Sequence, residues 1–91
     1  MEIDFEKLDV GLNNLRGFDF EAVSKEERAT GNTSVLMATD EKFQIRLAAR
    51  ALGINVNDIR ELPLKTFVKV QQRVFNFLFG TSGEETIAQD K

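Results

Sequence analysis

The sequence predicts a mainly α, small single-domain protein built on three main helices, with room for a short N-terminal β-hairpin. Three observations carry this. The chain has 91 residues, which bounds it to one domain with a small core. Apolar residues recur at three- and four-residue spacing through its middle and final thirds. Glycines at Gly31, Gly53 and Gly80 close the successive runs, where helices commonly end.

The first sixteen residues do not read as helix. Ile3, Phe5 and Leu8 sit among charged residues in near-alternation, and Leu12 and Leu15 follow Gly11. That spacing fits two short extended segments joined by a turn around residues 9–11. The first predicted helix covers 19–30, with Asp19 as its N-cap and Gly31 as its stop. The second covers 35–52, or starts as late as residues 39–40. Leu36, Phe43, Leu47 and Ala51 form its inward stripe, and Lys42, Arg46 and Arg50 form a basic stripe opposite. A short helical turn follows at 56–61. Pro63 then disfavours helix at Leu62 and suits the first turn of the last helix, 63–79. Residues 81–91 are polar and charged around a single large apolar residue, Ile87, and read as a disordered tail beyond a domain of residues 1–80. The expected core includes Phe43, Leu47, Leu52, Ile59, Leu62, Phe67 and Phe75.

Composition excludes several kinds of chemistry. The chain has no Cys and no His, which removes thiolate and imidazole ligands, thiol nucleophiles and the commonest neutral-pH base. Ser24, Ser34 and Ser82 lack a partner base, and no phosphate-binding glycine loop is present. The expectation is a non-enzyme with no cofactor, no metal and no small-molecule substrate. A net charge of −3 argues against general nucleic-acid binding. The acidic start, Met1 to Glu6, is unlike a secretory signal, and the longest apolar run is only Val35 to Ala38. A cytoplasmic protein with no membrane partner is expected.

Two features point to binding. On the last predicted helix Leu64, Phe67, Val68, Phe75, Leu78 and Phe79 share one face, and Val70, Val74 and Phe77 extend it round one side. The apolar arc spans roughly 200°, where one core face needs roughly 100°. It fits either a central helix covered on two sides or a helix whose Val70–Val74–Phe77 flank meets a partner or a second copy. The basic stripe of Lys42, Arg46 and Arg50 fits either a solvated face or a contact for an acidic partner. Separately, Ala49, Gly53 and Ile59 have the spacing of a helix-turn-helix corner. The would-be reading helix offers Asp58 and Glu61 against one Arg60, which is poor chemistry for a major groove. A regulatory DNA-binding or adaptor module is therefore the alternative reading.

The order of these features resembles a known family. Leu15-Arg16-Gly17-Phe18-Asp19-Phe20, Glu26-Glu27-Arg28 and Gly31-Asn32 are similar to the opening of the tail assembly chaperones of long-tailed bacteriophages and prophages. Phe43, Ala48-Ala49, Gly53, Asp58-Ile59, Leu62-Pro63, Phe67, Val70, Val74 and Phe77-Leu78 resemble that family's central pattern. The likeness covers residues 10–79 and rests on apolar spacing, glycine and Leu-Pro. It implies a small helical protein that coats the tape-measure protein and keeps it soluble. It also implies recruitment of tail-tube subunits, and absence from the mature virion. Many such proteins have a longer frameshifted form, for which the polar tail would be the junction.

Overall fold

The computed structural model describes residues 2–80. The chain runs through α1 (Phe5–Asn14), α2 (Gly17–Ala29), a 3₁₀ turn (Met37–Thr39), α3 (Glu41–Leu52), α4 (Val56–Arg60) and α5 (Leu64–Phe79). Among the described residues there is no strand. The expected disordered tail lies outside the described residues.

The N-terminal segment is helix and not a hairpin. The Asp4 carboxylate accepts from the backbone N–H groups of Glu6 (3.0 Å) and Lys7 (3.2 Å), which caps α1. Leu8 and Leu12, one turn apart, are fully buried. Gly11 is no turn residue. It lies inside α1, where a Cβ would come within 2.2 Å of the Ala51 carbonyl oxygen on α3. The polar–apolar alternation of the first residues hid this i, i+4 pair. There are thus four longer helices where the sequence suggested three.

Helix α2 starts two residues earlier than expected. Asp19 is not its N-cap, but its carboxylate reaches back to accept the Arg16 N–H at 2.8 Å. Helix α3 starts late, at Glu41. Asp40 caps it by accepting the Phe43 N–H at 3.0 Å and also takes the Ser34 hydroxyl at 2.5 Å. Leu36, expected on the inward stripe, therefore precedes the helix and is exposed. Gly53 ends α3 with φ +70°, a left-handed conformation that favours glycine. The Ile54 N–H then returns to the Ala49 carbonyl at 3.0 Å.

Helix α3 is the centre of the fold, with α1, α2, α4 and α5 all packed on it. Phe43, Leu8, Leu12, Val23, Ile59, Val70 and Val74 fill the core. The Phe20 ring meets Phe43 at 4.7 Å in a tilted arrangement. Of the expected core, Phe43, Leu47, Ile59 and Leu62 are buried. Leu52 and Phe67 are half-buried. Phe75 is exposed, for a reason that defines the candidate site.

Candidate functional site

Helix α5 has two apolar sides, and the core uses the narrower one. Val70 and Val74 are fully buried in the cluster with Phe43, Leu8 and Leu12. They are one turn apart, and their short branched side chains suit the helix crossing against α3. As placed, they form the inner face and not a partner-facing flank. Of the two readings the arc allowed, these two valines follow the covered one and not the partner-facing flank, because an apolar arc gives no direction for the core when both sides are greasy.

The opposite side carries Leu64, Val68, Phe75 and Phe79. Their exposures are 76%, 44%, 37% and 43%. At 100° per residue the four lie within an arc of roughly 60°, rotated roughly 130° from the two valines. The Phe75 and Phe79 rings meet at 4.8 Å between centroids in a tilted arrangement, 45° between planes. Leu64 and Val68 open into a cleft of about 220 Å³ shared with Ile45, Phe67, Lys42 and Arg60. Phe77 is also exposed but projects from a different side of the helix, beyond Val74.

The basic stripe is divided by its partners. The Arg46 guanidinium donates to Glu27 at 3.0 Å and lies 3.9 Å from Glu26. Arg50 donates to Asp19 at 2.7 Å. Both therefore tie α3 to α2 and do not form a free cationic face. Glu27 is itself buried. Burial pushes its carboxyl up, but hydrogen bonds from Asn32 and Arg46 outweigh that and hold it below its ordinary range. The Asp19 carboxyl is lowered first by the Arg16 N–H and then by Arg50. Lys42 alone of the stripe is exposed without an ion pair among the described residues, and it lines the cleft beside Leu64.

Sequence reasoning missed Leu64, Val68, Phe75, Phe79 and Arg60 as surface residues. One signal was available: α5 carries Lys65, Lys69 and Arg73 but no Asp or Glu. A helix with one charge sign in an acidic chain marks a surface. Gln71 interrupts the apolar side, and its amide donates to the buried Gln44 at 2.5 Å. Gln44 in turn donates to the Ala38 carbonyl at 2.7 Å.

The helix-turn-helix spacing forms a real corner, with Ala49 and Ile59 buried about the Gly53 turn. However, α4 has only five residues, with Asp58 in its first turn. Such a helix presents little to a DNA groove. Among the described residues no cluster of three or more acidic side chains is placed to hold a metal ion. Among the described residues no helix is long and apolar enough to cross a membrane. Comparison with family models, curated proteins and solved structures finds no match for this chain.

Proposed function

We propose that this protein is an assembly chaperone that holds an amphipathic segment of its client against the outer side of α5. The observation that carries the reading is the exposed row Leu64, Val68, Phe75 and Phe79. An exposed apolar row of this kind on a small protein is characteristic of an interaction surface. A helix laid along such a row is a recurrent mode of peptide recognition.

The client follows from the resemblance to phage tail assembly chaperones. On this reading the protein binds the tape-measure protein, keeps it soluble and recruits tail-tube subunits. It acts in the cytoplasm of the host bacterium and leaves before the virion is complete. The arrangement Gly53, Ile59, Leu62-Pro63 and the Phe- and Val-rich last helix supports the likeness.

Co-expression with the tape-measure protein tests this. The client is expected in the soluble fraction, copurifying with the chaperone. Aggregation of the client at the same level with and without the chaperone overturns the reading.

A further inference from the structure

The exposed side of α5 has a charge as well as a hydrophobic character. Lys65 and Lys69 project from the helix on one border of the apolar row and are exposed. Lys42 and Arg60 line the cleft on the other border. None of the four has a carboxylate partner among the described residues, whereas Arg46, Arg50 and Arg73 all do. Glu41 is the only acidic residue lining that cleft. A chain of net charge −3 thus borders this apolar row with cations that lack a carboxylate partner among the described residues.

This pattern decides among occupants. A second copy packed helix to helix would set Lys65 and Lys69 against their own duplicates, with no carboxylate on α5 to offset them. The chain's own residues 81–91 carry Glu84, Glu85 and Asp90 but only Ile87 as a large apolar side chain. One isoleucine cannot cover a row of four. A separate helix with its own apolar stripe and acidic borders satisfies both halves of the pattern.

We infer that the Leu64–Val68–Phe75–Phe79 row with its Lys42, Arg60, Lys65 and Lys69 borders is a receptor for an amphipathic helix bearing Asp or Glu on both flanks of its apolar stripe. The row runs the length of α5, so the bound helix has about four turns, or roughly 22 Å. This rests on the chaperone reading only for the identity of the client and specifies the client's chemistry.

The test uses fluorescently labelled, helix-stabilised peptides of about 16 residues with one leucine stripe, flanked either by Glu or by Lys. Anisotropy is measured with the full-length protein. The Glu-flanked peptide is expected to bind at least about tenfold tighter, about 1.4 kcal/mol, and to lose that advantage as salt rises. Lys65→Glu with Lys69→Glu, both at exposed positions, should abolish the preference while circular dichroism stays unchanged. Equal affinity for both peptides, or binding of neither, overturns the inference. So does capture by phosphatidylserine vesicles without binding of the Glu-flanked peptide, which would make the row a lipid contact. No tape-measure protein is present, so failure here with the client still held soluble in co-expression condemns the charge rule alone.

Discussion

Gly11 of α1 faces the Ala51 carbonyl of α3 so closely that an added Cβ would lie 2.2 Å from that oxygen. The two helices meet backbone to backbone at this point, and glycine is what the crossing requires. Gly11→Ala should therefore destabilise the protein by roughly 1–3 kcal/mol, although alanine favours helix by about 1 kcal/mol in isolation. Gly17→Ala is the control, since a Cβ there meets nothing within 4 Å. It should be neutral or slightly stabilising. Urea unfolding of both variants checks the contrast.

Glu27 joins three parts of the chain. Its carboxylate accepts from Asn32 at 2.8 Å and from Arg46 at 3.0 Å, while its backbone carbonyl takes the Thr30 hydroxyl. Glu27→Gln should cost roughly 2–4 kcal/mol, below the fully buried limit because Arg46 keeps some contact with water. The double variant with Arg46→Met should recover part of that loss. Thermal unfolding of the two single variants and the double variant measures the coupling.

Acid should weaken the fold for a specific reason. The carboxyls of Asp19, Glu27 and Asp40 are all held below their ordinary values of 3.8, 4.5 and 3.8. For Asp40, burial pushes the carboxyl up, and the Ser34 hydroxyl and Phe43 N–H outweigh it. A group lowered on folding stabilises the protein above its unfolded pKa, and that stabilisation fades as pH falls towards the folded value. Tm should be flat near neutrality and fall below about pH 5. Glu27→Gln should show a shallower acid fall. A Tm that rises on acidification contradicts this.

The two sides of α5 should respond oppositely to substitution. Val74→Ala removes fully buried methyl groups and should cost roughly 1–3 kcal/mol. Leu64→Ser lies on the outer row at 76% exposure and should change stability by less than about 1 kcal/mol. Chemical denaturation of both variants is sufficient. A larger loss for Leu64→Ser than for Val74→Ala would mean that the helix is turned the other way.

The helical class and the helix ends at Gly53 and Gly80 were legible because period and punctuation are local signals. The hairpin error arose where the first apolar residues alternate, while the Leu8–Leu12 pair and the crossing at Gly11 depend on α3, which lies far along the chain. The site was half legible. The sequence shows that α5 is apolar on more than one side, but the side that is buried depends on which residues fit α3. Two valines fit, leaving Phe75 and Phe79 outside. Arg46 and Arg50 read as a free stripe because their partners, Glu27 and Asp19, stand 19 and 31 residues earlier. Lys42 has no such partner and kept its place beside the surface.

If the outer row of α5 holds a client helix, a charge placed on that row releases the client. The tape-measure protein is co-expressed with the parent protein, Val68→Asp, Phe75→Asp, Phe77→Asp or Lys42→Glu, each first shown by circular dichroism to be folded. Its soluble fraction is then compared. Burying such side chains is worth roughly 1.5–3 kcal/mol each, so one aspartate on the row should weaken the complex by at least about tenfold. Val68→Asp and Phe75→Asp are expected to lose the client, Lys42→Glu to weaken its retention, and Phe77→Asp, off the row, to behave as the parent. Full protection by folded Val68→Asp and Phe75→Asp would contradict it, as would loss of protection confined to Phe77→Asp.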